Sequence, residues 1–122
     1  MAYRTTEKAH WIHVEYLDEI DSFDLIEQAS EEAFRQYLAR KKKARYDYSS
    51  VTKVDLNDDQ IKQLAALGRL HGSLHEHIDV AVVLKSERGL DKAKLYQSAS
   101  HDSQWQVTIC MTLAEAEQVL SV

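Results

Sequence analysis

One run of seven residues constrains the fold of this chain more than any other feature. Residues 78–84 read IDVAVVL, which is rich in β-branched residues and almost continuously apolar. A strand with one face in water alternates apolar and polar residues, whereas a strand covered on both faces does not. The run therefore predicts an interior strand of a parallel sheet, and parallel neighbours require crossover helices.

Other strand-like and helical segments alternate along the chain around this run. The predicted strands span 11–16, 46–51, 78–84 and 106–111, with a weaker edge strand at 3–8. The predicted helices span about 22–39, 58–74, 87–100 and 113–120. Strands that alternate with helices indicate an α/β fold with four or five strands, a mainly parallel sheet and right-handed crossovers.

Helical spacing predicts which side chains face the sheet. In the first helix these are Phe23, Ile26, Ala29, Ala33 and Tyr37. Leu74 is expected to line the second helix and Leu113 the last. Gly68 and Gly72 lie within the second helix, where they either permit close packing or fray its last turn.

Length and charge narrow the class of protein. The 122 residues fit one domain, 1–122, and a formal net charge of −5 argues against binding to nucleic acid. No window is apolar enough for a membrane span, and the first residues lack the apolar core of a signal peptide. The single cysteine, Cys110, cannot form a disulfide within the chain, which fits a cytoplasmic location.

The most specific motif is the segment ARYDYSSVTKVDLNDDQIKQLA, residues 44–65. It resembles the central strand and turn of the SpoIIAA-like (STAS) family, whose pattern matches Asp47, Ser49, Thr52 and Asp55. The segments IDVAVVLKSERGLDKAKLY and TLAEAEQVL resemble later parts of the same family, so the resemblance covers nearly the whole chain. It implies an α/β sandwich with about four helices packed largely on one face of the sheet.

The resemblance also implies a role in protein–protein regulation or in binding small apolar molecules. Phosphorylation-switched members carry a serine directly after the turn aspartate, but here Leu56 follows Asp55. Carboxylates in the first turn of the next helix would also repel a phosphate. We therefore expect a non-enzymatic regulatory or protein-binding module without a phosphoswitch. Its predicted binding surface consists of Ser49, Ser50, Asp55, Leu56, Asn57 and Asp58.

Two alternative functions remain open at the level of sequence. The first is a carrier of a small apolar or lipid-like ligand, in a cavity lined by Phe34, Tyr37, Tyr96 and Trp105. The second is metal binding by His71 and His75, whose i,i+4 spacing suits zinc. That pair lacks an evident third ligand, and packing of His71 in the core requires no metal.

No motif predicts catalysis or a cofactor. Ser100, His101 and Asp102 are adjacent in sequence, but a catalytic triad depends on three-dimensional geometry rather than adjacency. The expected partner is therefore an unidentified protein or a small apolar ligand. A homodimer is also possible, because exposed edge strands invite pairing.

Overall fold

The predicted interior strand is β4, Ile78–Val83, in a computed structural model that describes residues 2–121. The other strands in this range are β1, Tyr3–Glu7; β2, Ile12–Asp21; β3, Lys43–Asp55; and β5, Trp105–Cys110. They form one sheet in the order β1-β2-β3-β4-β5. β1 is antiparallel to β2, and every other pair is parallel.

Five helices connect or follow these strands within the described residues. They are α1, Ser22–Ala29; α2, Glu32–Lys41; α3, Asp58–His75; α4, Leu90–Ala99; and α5, Leu113–Leu120. Each parallel strand lies beside the preceding one, so successive crossovers return on the same face of the sheet. Helices α1 to α4 cover that face, and α5 covers the opposite one, where Ala116 and Leu120 pack on Ala81 and Val83. The predicted α/β class is confirmed.

The prediction of a single helix over 22–39 is wrong, because two helices occupy this span. The chain leaves the helix at Ser30 and is extended at Glu31. Buried Leu25 and Phe34 are nine residues apart, which is about 180° out of phase at 3.6 residues per turn. One straight helix cannot direct both side chains at the sheet, so the break brings both inward.

The predicted inward stripe of the first helix is wrong in α1. Phe23 is 71% exposed and Ile26 is 44% exposed, while Leu25 and Gln28 are buried. Two further predictions of inward leucines also fail: Leu74 lies at the exposed end of α3, and Leu113 is exposed in α5.

Two strands are longer than predicted, and both extensions lie next to the cavity described in the next subsection. β2 continues past Tyr16 to Asp21, and β3 continues past Val51 to Asp55. Register shifts between β2 and β3 follow Glu15 and Asp18, and each leaves one extra residue in β3. At such bulges, successive side chains no longer alternate between the two faces of the sheet. The period-two pattern that identifies a strand in the sequence therefore stops before the strand does.

The two glycines of α3 permit close packing, as one of the two sequence interpretations proposed. A Cβ atom on Gly68 would lie 2.6 Å from Nε1 of Trp105, and one on Gly72 would lie 2.7 Å from the backbone of Gln104. Helix α3 continues to His75, beyond both glycines. Its second half therefore rests directly on the start of β5.

Candidate functional site

A cavity of about 790 Å³ lies between the helix-covered face of the sheet and helices α1, α3 and α4. This volume falls within the range of roughly 300–1,000 Å³ that is typical of small-molecule sites. Both Ile61 and His71 line the cavity, and ten residues of helix separate them by about 15 Å. The cavity is therefore elongated along α3.

The mouth of the cavity lies at the carboxyl ends of the parallel strands. The end of β3 lines it, and so do five residues after β4: Leu84, Lys85, Ser86, Arg88 and Gly89. Ligands of open α/β sheets bind at this edge, because loops and helix N-termini meet there. The wall contributed by β3 is unusual, since all seven consecutive residues 48–54 line the cavity. The two bulges account for this, because they interrupt the alternation that would direct every second residue to the other face.

Asp47 supports the first bulge. Its carboxylate is 4% exposed and accepts a hydrogen bond of 2.9 Å from the backbone N–H of Ser49. This contact satisfies part of the hydrogen-bonding capacity of a buried charge and fixes the turn of the backbone two residues later. The acidic residue singled out in the sequence motif thus shapes the wall of the cavity.

Stacked tyrosine rings form the sheet side of the interior. The ring of Tyr16 stacks on that of Tyr48 at 4.9 Å between centroids and on that of Tyr46 at 6.1 Å. Burial raises the pKa of Tyr46 and Tyr48, so both phenols remain neutral. Among the described residues, neither hydroxyl has a hydrogen-bond partner. Both can therefore hydrogen-bond a molecule inside the cavity.

Trp105 forms the floor of the cavity, at the end remote from the mouth. It is 2% exposed, and its indole N–H donates a hydrogen bond of 2.7 Å to the hydroxyl of Tyr96. Burial raises the pKa of Tyr96 to about 12. The backbone of α3 rests on the indole at Gly68.

Two buried nitrogens on the lining residues lack a partner among residues 2–121. They are Nε2 of Gln28 and Nε2 of His71. Gln28 is fully buried, and its Oε1 accepts a hydrogen bond from the Tyr16 hydroxyl at 3.2 Å. Burial, together with His75 and Arg35, lowers the pKa of His71, so its imidazole is neutral near pH 7. Both nitrogens are enclosed by protein atoms, so they are buried polar groups without a hydrogen-bond partner in the described part of the chain.

The charged residues that line the cavity all carry positive charge. They are Lys53, Lys85, Arg88 and Lys92. Among the described residues no Asp or Glu lines the cavity, although the chain contains 20 acidic residues. The ammonium of Lys92 donates to the carbonyl of Leu56 across the mouth.

The six residues of the predicted binding surface divide between the mouth and its surroundings. Ser49, Ser50 and Leu56 line the cavity. Asp55 is the exposed end of β3, Asn57 caps α3 by accepting from the N–H of Gln60 at 2.8 Å, and Asp58 is in the first turn of that helix. The structure thus brings half of the predicted surface to the mouth, while Asp55 ends β3 and Asn57 and Asp58 begin α3.

Of the four aromatic residues predicted to line a cavity, two line it and two do not. Tyr96 and Trp105 line it, but the prediction for Phe34 and Tyr37 is wrong. Both belong to the filled core, and the Tyr37 hydroxyl donates to the backbone carbonyl of Lys8. Sequence reasoning missed Tyr16, Gln28 and the basic residues of the mouth, for which strand and helix periodicity gives no signal.

His71 and His75, the pair predicted to bind a metal, lie in different environments. The His71 ring is buried between those of Phe34 and Trp105, at 6.5 and 6.0 Å, while His75 is half-buried one turn later. Within residues 2–121, no group of three or more His, Cys, Asp or Glu is placed to hold a metal ion. The pair therefore has no third ligand in the described part of the chain.

A second polar cluster lies on the opposite face of the sheet and holds α5. Buried Arg45 donates from Nε to Nδ1 of His13 at 3.0 Å and lies 3.4 Å from the Glu117 carboxylate. Its guanidinium also stacks on Trp11 at 5.3 Å. Desolvation, followed by the charge of Arg45, lowers the pKa of His13, which keeps this ring a neutral acceptor. These contacts join β2, β3 and α5 on this face.

None of the helices in the described range is both long and apolar enough to cross a bilayer. A scan against protein-family models and a search of curated proteins found no match to this chain.

Proposed function

We propose that this protein binds one small, elongated and mainly apolar molecule in the cavity between its sheet and helices, without transforming it. The observation that carries the proposal is the cavity itself. Protein interiors are normally close-packed, with few voids larger than a water molecule. An opening of about 790 Å³ lined by leucine, valine and tyrosine side chains departs from that rule. Binding of apolar surface explains the departure better than incomplete packing does.

The unpartnered groups inside the cavity add a hydrogen-bonding requirement. Tyr46 and Tyr48 can each contribute a hydroxyl donor without breaking an existing hydrogen bond among the described residues. We infer a ligand with at least one polar atom on an apolar body. The same proposal includes the SpoIIAA-like (STAS) assignment and a cytoplasmic location. Four helices on one face of a mainly parallel sheet support the assignment, and the buried single cysteine agrees with the location.

A displacement titration tests this function. Nile red is neutral and becomes fluorescent in apolar surroundings, so it should bind with one saturable site per chain. Octanol, decanol and dodecanol should then displace it with rising affinity. Each added methylene should contribute about 0.8 kcal/mol, which is roughly a fourfold change in Kd. Displacement that does not depend on chain length, or unsaturable uptake of the dye, would contradict the proposal.

A second candidate function is the protein-binding module expected from the sequence. The exposed Phe23 favours it, because α1 begins beside the turn at 55–58, where Nε2 of Gln60 donates to Oγ of Ser22 at 3.2 Å. A large exposed aromatic next to a binding mouth suits a protein partner or a second copy of the chain. Sedimentation velocity of wild type and Phe23→Ser would discriminate the homodimer from a monomer.

A further inference from the structure

We infer that the ligand carries an anionic group, a carboxylate or a phosphate monoester, which lies at the mouth while its apolar body fills the interior. This inference rests on the proposed function and specifies the chemical class of the ligand. It follows from the distribution of charge around the cavity.

The charge around the mouth is opposite to that of the whole chain. The chain has a formal net charge of −5, yet three lysines and one arginine line the cavity, and none of the acidic residues at positions 2–121 does. A random sample of this surface would contain more carboxylates than cations. A lining of one sign concentrates ligands of the opposite sign.

Three of these cations have no ion-pair partner among the described residues. Lys53, Lys85 and Arg88 are exposed and lie more than 4.0 Å from every carboxylate in that range. Of the other exposed arginines, Arg4 pairs with Glu15 and Arg40 with Glu7, while Arg35 and Arg69 have no carboxylate partner in that range. The cations at the mouth are therefore available to an anion from outside the chain.

The N-terminus of α4 adds to the positive electrostatic potential at the mouth. Its first residues follow Gly89, which has φ +86° and provides no side-chain cap. Gly89 and Lys92 both line the cavity, so the positive end of this helix faces the mouth. Helix α3 is capped by Asn57 and has Asp58 and Asp59 in its first turn, whereas α4 has no side-chain cap and one acidic residue, Asp91, in its first turn. The N-terminus of α4 thus lacks the side-chain cap that α1 and α3 have.

Serine and threonine hydroxyls complete the set of donors. Ser49, Ser50, Thr52 and Ser86 line the same region as the cations. The interior behind them contains neutral groups only, because the tyrosines and His71 are uncharged near pH 7. A ligand that places its anion at the mouth and its apolar chain inside would match this division, whereas the reverse orientation would bury an unpaired charge.

Ligands that differ only in the head group test the inference. Dodecanol, dodecylamine, dodecanoate and dodecyl phosphate should compete for Nile red in wild type at low ionic strength. We expect at least one of the two anions to displace the dye at a roughly tenfold lower concentration than dodecanol, because charge-assisted contacts are stronger than neutral ones. The amine should be the weakest. The better of the two anions identifies the head group as carboxylate or phosphate.

A double variant tests whether the cations at the mouth cause the preference for an anionic head group. Lys85→Gln with Arg88→Gln should reduce the affinity for the preferred anion about tenfold and leave dodecanol unchanged. Lys8→Gln with Lys62→Gln removes the same charge from exposed residues that do not line the cavity, and it should change neither. Equal displacement by alcohol, amine and anions would overturn the inference while leaving the proposed function intact. Failure of all four to displace the dye would overturn both.

Discussion

Replacing Trp105 with alanine should lower the free energy of unfolding by about 3–5 kcal/mol, a large part of the stability of a domain this size. The indole is the largest fully buried side chain of the described residues. Its removal deletes its contacts with α3 and leaves the Tyr96 hydroxyl without its donor. Chemical denaturation followed by circular dichroism measures the effect.

Trp11 supplies a matched control on the other face of the sheet. It is half-buried, and its indole nitrogen has no partner in the described part of the chain. Trp11→Ala should therefore cost less than Trp105→Ala. An equal or larger loss for Trp11 would contradict the role of Trp105 as the floor.

The close approach of Gly68 to the indole gives a second test of the same contact. Gly68→Leu alone should be destabilising, because its Cβ would overlap the ring of Trp105. In the Trp105→Ala background the new side chain can fill the vacated space, so there Gly68→Leu should be stabilising. A double-mutant cycle should give this change of sign, and additive effects would exclude direct packing.

Filling the cavity should abolish binding without unfolding the protein. Leu64 is half-buried on α3 and lines the cavity, so Leu64→Trp places an indole in the space that the ligand requires. We expect Nile red and dodecanol to bind at least tenfold more weakly. Stability should be unchanged or higher, because added apolar atoms are buried in a preformed space.

Leu70→Trp is the matched control for this substitution. Leu70 lies six residues later on the same helix, is 55% exposed and does not line the cavity. Its variant should bind both molecules as wild type does. If Leu64→Trp bound normally, the dye would occupy another surface, and the exposed leucines of α3 would be the first to consider.

The strand at 78–84 shows why most of the fold could be predicted from sequence. Its continuous β-branched run has only one compatible environment, a strand covered on both faces, and the alternation of elements then determines the parallel sheet. The helix starts are equally local, because the side chains of Asp21, Asn57 and Thr112 accept hydrogen bonds from backbone N–H groups in the first turns of α1, α3 and α5. These features are local, and tertiary contacts do not override them.

The break at Ser30 and the bulges of β3 could not be predicted in the same way. In the first case two incompatible hydrophobic stripes were present, and only packing on the sheet selects Leu25 and Phe34 over Phe23 and Ile26. In the second, the extra residues of β3 are defined by its pairing with β2, which the sequence of one strand does not contain. Both irregularities border the cavity.

The candidate site was predicted only in part for the same reason. Tyr96 and Trp105 were expected to line a cavity and do, but Phe34 and Tyr37, which are also aromatic and were predicted with them, belong to the core. Periodicity assigns a side chain to a face, and it does not tell whether that face is filled or open. The basic mouth was missed because Lys53 belongs to β3 whereas Lys85 and Arg88 follow β4, and these two segments come together only at the edge of the sheet.

Native mass spectrometry of untagged protein, purified from its expression host, tests the central claim most directly. We predict a retained mass of one small molecule per chain, which denaturation releases and which the Leu64→Trp variant lacks. The same mass on wild type and Leu64→Trp would place the molecule elsewhere on the protein. A wild-type chain with no retained mass, which also binds neither Nile red nor the alkyl ligands when they are added, would contradict the account.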